Sequence, residues 1–148
     1  MKILVTGSHG FIGTHLVAAL KAFAENEVIP FDCKTGQNIL AKPQLYQSMQ
    51  GCEAVVHLAA QKSVPRSWQE PNQFFKTNIT GTYEVLKVAV DLKVKRVVVA
   101  SSSSAAYGLS PYAVSKMTTE WLAQMFWNTF QLDAVCLRFF NVFGPGQD

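Results

Sequence analysis

Short apolar runs alternate along this chain with longer stretches whose apolar residues recur at helical spacing. "KILVTG" (2–7) is a β-branched run closed by glycine, which predicts a buried strand. "FIGTHLVAALKAF" (11–23) puts Ile12, Leu16, Ala19, Leu20 and Phe23 on one helical face. "EVIPFD" (27–32) reads as a second strand with its pairing weakened at Pro30, and "QNIL" (37–40) as a brief third. "PQLYQSMQG" (43–51) has the proline-first, glycine-last signature of a short helix. "AVVHLAA" (54–60) is a fourth strand, and helical spacing of Phe75, Ile79, Leu86 and Val90 follows between Pro71 and Leu92. "RVVVASS" (96–102) is a fifth strand, Pro111 opens a helix to about Phe130, and "DAVCLRFFN" (133–141) is a sixth strand. "VFGPGQD" is loop.

Strands that alternate with helices are parallel and joined by right-handed crossovers. Six in that rhythm predict an α/β fold, a doubly wound parallel sheet within a single domain spanning 1–148. The strand order 3-2-1-4-5-6 is expected by analogy with dinucleotide-binding domains.

Composition narrows the function classes. Apolar residues make up 49% and charged residues 16%, which suits a sheet buried on both faces or a surface that expects a partner. The net charge of +3 is small and forms no basic stripe, which argues against nucleic acid. The apolar runs fall short of a membrane span, and residues 1–6 are too short and strand-like for a signal peptide. Cys33, Cys52 and Cys136 have no CxxC spacing, so reduced thiols in the cytoplasm, packed as small hydrophobes, are expected. No His, Cys or carboxylate cluster has metal-ligand spacing.

Chemistry enters at "TGSHGFIG" (6–13), between the first strand and the first helix. Gly7 allows a tight exit from the strand, Gly10 lets backbone approach a pyrophosphate, and Gly13 lets the helix pack close to the sheet. The helix start at Phe11 and Ile12 offers free N–H groups and a positive dipole end to an anion. Asp32 ends the second strand, where a carboxylate can accept both hydroxyls of an adenosine ribose and repel a 2′-phosphate. That favours NAD as cofactor, with Lys34 nearby as the one opposing feature; a solvated turn aspartate is the plainer alternative.

The run "SSSSAAYGLSPYAVSK" (101–116) holds two tyrosines, and only Tyr112 has a lysine one helical turn on, at Lys116. Side chains at i and i+4 share a helix face. A nearby ammonium and the helix N-terminus both favour the phenolate, which can take a hydroxyl proton as hydride leaves the adjoining carbon. Residue 111, the matching position for Tyr107, is proline.

With these pieces in place the chain resembles the extended short-chain dehydrogenases/reductases, and within them the NAD-dependent nucleotide-sugar epimerases and dehydratases. The resemblance rests on TGSHGFIG (6–13), Asp32, HLAA (57–60), NITGT (78–82), SSSSAAYG (101–108), YAVSK (112–116) and RFFNVFGPGQD (138–148), in the family's order. The last motif leans toward enzymes acting on UDP-hexoses, UDP-glucose 4-epimerases among them. The resemblance implies Tyr112 as base, Lys116 on the nicotinamide ribose, and Ser103 on the reacting sugar hydroxyl. It implies Leu58, Ala59 and Ala60 lining NAD, Lys62 and Ser101 near it, Asn78 in the nucleotide site, and Asn141 on the sugar nucleotide. Asn38-Ile39 stands where an acidic residue commonly meets the adenine. The implied reaction oxidises C4 of the sugar, turns the ketone over and returns hydride to its other face. A homodimer through helices 74–92 and 111–130 follows from the same resemblance.

Plainer roles stand beside these. His57 reads as a packed strand histidine, and Asn78 as a helix residue bridging backbone groups. Ser104 reads as turn, and Trp121, Met125, Trp127 and Phe130 as core or interface. Two departures from the family stand out. Only Leu109, Ser110 and Pro111 separate Gly108 from Tyr112, where the family has a longer segment. The family also continues past GPGQD into a substrate-gripping domain, so this chain reads as shortened, with that domain absent. Two readings follow: a minimal or truncated epimerase, or an inert NAD-binding module left from one.

Overall fold

The computed structural model describes residues 1–147. Five parallel strands form one sheet in the order β2-β1-β3-β4-β5. They are β1 (Lys2–Thr6), β2 (Glu27–Phe31), β3 (Ala54–His57), β4 (Arg96–Ser102) and β5 (Ala134–Phe139). The helices are α1 (Phe11–Lys21), α2 (Lys42–Met49), α3 (Val64–Gln69), α4 (Pro71–Phe74), α5 (Gly81–Asp91) and α6 (Pro111–Phe130). A π-helical turn, Phe75–Thr80, joins α4 to α5 without a break.

Both faces of the sheet are covered over its middle, as continuous apolar strands require. Ile3, Val5 and Val28 pack under Leu16, Val17 and Leu20 of α1. On the other face Leu4, Val55, Val97 and Val99 pack against Leu45 and Met49 of α2, Val85, Leu86 and Ala89 of α5, and Phe126 of α6. Successive residues of β1 thus serve opposite cores. On the α1 face Val135 and Leu137 of β5 stay half-exposed.

The expected architecture holds for five strands, and the strand expected over 37–40 does not form. Asn38 turns the chain there: its Oδ1 accepts the N–H of Leu40 at 2.9 Å, and its carbonyl accepts that of Ala41 at 2.9 Å. β2 is therefore the sheet edge. The strand expected over 54–60 ends at His57, leaving Leu58–Ala60 as loop. The helix expected from Pro111 to Phe130 has those bounds, with Ser110 capping it by accepting the N–H of Ala113 at 3.1 Å. No helix among the described residues is long and apolar enough to cross a membrane.

Candidate active site

The turn after β1 is built as the glycine spacing predicts. Gly7 has φ +72°, and a Cβ there would lie 2.7 Å from the backbone N of Ala59. A Cβ on Gly13 would sit 2.0 Å from the carbonyl oxygen of Gly7, so only glycine lets α1 seat so close. Gly10 differs: its φ is −78°, and a Cβ would meet only the Gly7 oxygen, at 3.3 Å. The fold itself gives Gly10 little reason to be glycine. No side chain caps α1, so the first-turn N–H groups of Phe11, Ile12 and Gly13 are left without a side-chain acceptor.

Asp32 is buried behind this turn. Its carboxylate accepts the backbone N–H of His9 at 2.8 Å and of Lys34 at 2.9 Å. Burial opposes the charge, but those bonds outweigh it and hold the carboxyl below its ordinary range. Each carboxylate oxygen keeps acceptor capacity beyond them. Lys34 Nζ donates to the carbonyl of His9 at 3.0 Å, tying the same turn from outside. Asn38 is exposed, whereas the Ile39 side chain lies in the core against Gly81, so of this pair only Asn38 offers a side chain to a ligand. Cys33 is exposed, unlike the buried Cys52, which corrects the expectation that all three thiols pack inside.

Leu58, Ala59 and Ala60 follow β3 half-buried, beside Gly7. Lys62 is exposed. Beneath them His57 is buried between threonines, with Nδ1 2.7 Å from Thr6 Oγ1 and Nε2 3.0 Å from Thr82 Oγ1. The Thr82 hydroxyl donates to the carbonyl of Asn78 at 2.6 Å, so it must accept from Nε2–H, and Nδ1 accepts from Thr6. Burial, with the charge of Lys116 nearby, pushes the imidazole pKa down to about 3. His57 is a structural histidine, as read from the sequence.

Asn78, 1% exposed, sits in the π turn. Its Oδ1 accepts the N–H of Gln61 at 2.8 Å, while Nδ2 donates to the carbonyl of Gln61 at 3.1 Å and to Ser115 Oγ at 2.9 Å. Both amide hydrogens are spent, so the geometry is that of a bridge between the 58–62 loop and α6. The π turn also turns the Asn78 carbonyl toward Thr119 Oγ1, which donates to it at 3.1 Å.

α6 opens beside this bridge. Ser115 donates to the carbonyl of Tyr112 at 2.7 Å, and the Tyr112 ring meets Phe74 edge-on at 6.3 Å between centroids. Lys116 is 6% exposed, and its Nζ donates to the carbonyl of Ala100 near the end of β4 at 2.7 Å. Burial lowers the Lys116 pKa to about 8, with Cys136 acting in the opposite direction. Ser103 begins a 3-10 turn after β4, and its hydroxyl makes no hydrogen bond among the described residues. Ser101, expected near the cofactor, has its hydroxyl committed within the protein: it donates to Glu120 Oε1 at 2.6 Å, on the α6 face of the sheet. Tyr107 is 74% exposed and Asn141 is exposed. A cavity of about 170 Å³ opens at the shortened connection, lined by Val64, Ser104, Tyr107, Leu109, Ser110 and Ala113.

Sequence reasoning missed α3, Ser115, Thr82, Glu120 and Arg138. Glu120 lies one turn beyond Lys116, so extending the Tyr–Lys spacing by four more residues would have found it. Among the described residues no group of His, Cys, Asp and Glu is placed to hold a metal.

The parallel sheet carries the glycine turn, Ser103 and Tyr112 at the carboxyl ends of β1 and β4, where open α/β sheets bind ligands. The model of the NAD dependent epimerase/dehydratase family matches residues 3–148. An uncharacterized UDP-glucose epimerase, YtcB, of Bacillus subtilis is 31% identical over 99% of this chain and 58% of its own length. The UDP-glucose 4-epimerase of Thermotoga maritima, solved with UDP-glucose, superposes with a TM-score of 0.93 at 33% identity, over 100% of this chain and 58% of that one. The UDP-glucuronic acid 4-epimerase of Bacillus cereus, solved with UDP-glucuronic acid and NAD, gives 0.92 at 32% identity, over 99% and 59%. The chain thus spans somewhat more than half the length of these relatives. Matched from its first strand to its last loop, it belongs to the NAD dependent epimerase/dehydratase family.

Proposed function

We propose that this chain is the NAD-binding part of a nucleotide-sugar epimerase, with a UDP-hexose as substrate. The observation that carries the reading is the pairing of a glycine turn and its uncapped N–H groups with Tyr112 and Lys116 on the helix that follows β4. The site fits the cofactor. Gly10 leaves space that the fold does not use, α1 presents uncapped N–H groups, and Asp32 is ionised behind the turn. Gly10, Phe11, Ile12 and Gly13 would take the pyrophosphate, Asp32 the adenosine ribose, and Asn38 the adenine edge. Leu58, Ala59, Ala60 and Lys62 would border the nicotinamide half. When bound, NAD supplies a two-electron acceptor that takes hydride from the sugar C4 and returns it.

The protein's own work is proton transfer and orientation. Tyr112 Oη takes the proton of the sugar O4–H as the C–H bond breaks, and returns it when the ketone is reduced on its other face. Ser103, whose hydroxyl is uncommitted, donates to the same oxygen. Lys116 offers its charge and remaining protons toward the nicotinamide ribose while Ala100 holds it. Asn141 contacts the sugar nucleotide. Exposed Tyr83 of α5 and Trp121 and Met125 of α6 support a homodimer through those helices, and the free thiols of Cys33, Cys52 and Cys136 support a cytoplasmic setting.

A second reading, an NAD-binding module without turnover, is favoured by one feature: the three-residue link from Gly108 to Tyr112 leaves Leu109 80% exposed over an open cavity. Calorimetry with NAD, followed by interconversion of UDP-glucose and UDP-galactose and of their N-acetyl counterparts, separates the two. Binding and turnover that is lost in Tyr112→Phe are expected. Binding with no turnover leaves the second reading, and no binding removes both.

A further inference from the structure

We propose that Glu120 is a positioning residue for this site: gripped by Ser101 and Arg138, it fixes the setting of α6 on β4 from which Lys116 and Tyr112 act. The proposal rests on the reading above for its function, though not for its geometry.

Tyr112, Lys116 and Glu120 follow one another at four-residue steps. Each step rises about 6 Å and turns only about 40° round the helix, so the three form one stripe. Lys116 Nζ reaches the carbonyl of Ala100 at 2.7 Å, and one turn later Glu120 Oε1 takes the hydroxyl of Ser101 at 2.6 Å. Adjacent turns of α6 therefore hold adjacent residues of β4. Arg138 is the direct register partner of Ser101 on β5. It donates Nε to Glu120 Oε1 at 2.8 Å and Nη2 to Oε2 at 2.7 Å, a two-point grip that fixes the plane of the carboxylate. The Glu120 side chain is 17% exposed and that of Arg138 52%, so the joint is half-buried at the rim of a groove between α6 and β5.

The neighbouring stripe does a different job. Ser115 and Thr119 bond to Asn78, which fixes α6 against the π turn and not against the sheet. Among the described residues, the polar ties from α6 to β4 are those of Lys116 and Glu120 alone. Without Glu120, apolar packing and one buried amine must hold the helix on the strand. The amine then loses the close fit that keeps it dry. Lys116 faces His57 of β3 and Cys136 of β5, and Glu120 lies beyond it on its own helix.

The test reads Lys116 itself. Competitive acetylation followed by mass spectrometry, from pH 6.5 to 11, titrates its amine in the folded chain. In the unaltered protein the midpoint is expected near 8. In Glu120→Ala it moves up toward the ordinary lysine value near ~10.4. Glu120→Gln keeps one acceptor oxygen for Ser101 but sets an NH2 against Nη2 of Arg138, so it too loses the two-point grip and gives an intermediate rise. Leu45→Ala, a core truncation on α2, lowers thermal stability without moving the midpoint, which separates positioning from general loosening. If Glu120→Ala does not fold, Arg138→Lys, which keeps charge and loses the two-point grip, gives an intermediate rise. An unmoved midpoint in the folded variants, or an equal rise in Leu45→Ala, overturns the proposal. NAD affinity measured alongside is expected to fall at least several-fold in Glu120→Ala. Absence of NAD binding by the unaltered chain would sink the functional reading and leave the titration to decide on Glu120.

Discussion

The buried imidazole of His57 makes acid stability a quantitative test of the network beneath the candidate site. The ring is neutral in the fold, with its pKa pushed down to about 3 by burial and by the charge of Lys116, against 6.5 for a free histidine. Between those values the unfolded chain binds a proton that the native chain does not. Stability therefore rises with pH across that window. This contribution is fully present above pH 6.5, declines as pH falls, and is gone once pH passes the folded value near 3. Its slope is about 1.4 kcal/mol per pH unit, so acidification by two units from the free value costs about 2.7 kcal/mol. The group is wholly buried, so solvent screening does not reduce the figure. Urea unfolding at a series of pH values, on the unaltered chain and on His57→Gln, isolates the term as the difference between two slopes. Both proteins carry the same carboxylates, whose contributions cancel. The same ring should appear by NMR as the Nε2–H tautomer with no titration down to pH 5. Parallel slopes, or an imidazole titrating near 6.5, would refute the threonine-bridged arrangement.

Other outcomes follow from the same geometry. Gly13→Ala drives a methyl into the Gly7 carbonyl and should cost about 3 kcal/mol or more, because backbone must move. Gly10→Ala should leave the melting temperature within a few degrees yet lower NAD affinity about tenfold or more by calorimetry; equal destabilisation by the two, or unchanged affinity in Gly10→Ala, would remove the reason given for Gly10. Asn78→Ala strands the N–H and carbonyl of Gln61 and takes from Ser115 Oγ the donor it accepts from, with an expected loss of about 3 kcal/mol in chemical denaturation. Tyr112→Phe should abolish epimerisation while leaving NAD affinity within about threefold, since the proposed proton transfer needs the phenol oxygen.

What the sequence made legible was local. Gly13 declares itself because its clash is with Gly7 and Ser8, a few positions away, and Gly7 because a tight turn asks for its φ of +72°; the approach of Ala59 to Gly7, from the loop after β3, was not legible. Ser110 and Pro111 mark the start of α6 by a local signal as well. The strand expected over 37–40 failed because its apolar pair serves another end. Ile39 drops into the core over Gly81, where any larger residue would clash, and the polar groups around it close a turn. α3 is only six residues long and is entered through Ser63 at φ +91°, which no apolar period announces. The π turn was hidden inside a helix, because one extra residue per turn barely disturbs a hydrophobic pattern read over several turns.

The fate of polar side chains was the least legible part, and it separates scaffold from chemistry. Ser101, Ser103 and Asn78 all lie in motifs that imply ligand contact, yet two of the three are already spent. Ser101 belongs to Glu120, and Asn78 to Gln61 and Ser115, partners brought in from distant parts of the chain. A buried polar group that has found its partners is expensive to redirect, since a ligand must replace each lost bond with one as good. Ser103, Tyr112, Lys62 and Asn141 carry no side-chain hydrogen bond among the described residues, and so offer their full capacity at no such cost. Lys116 stands between, with one proton on Ala100 and two to give. The committed groups set where α6 lies and the uncommitted ones decide what can be done there. Substitutions at Ser101 and Asn78 should therefore register first as changes in stability, and those at Ser103 and Tyr112 first as changes in rate.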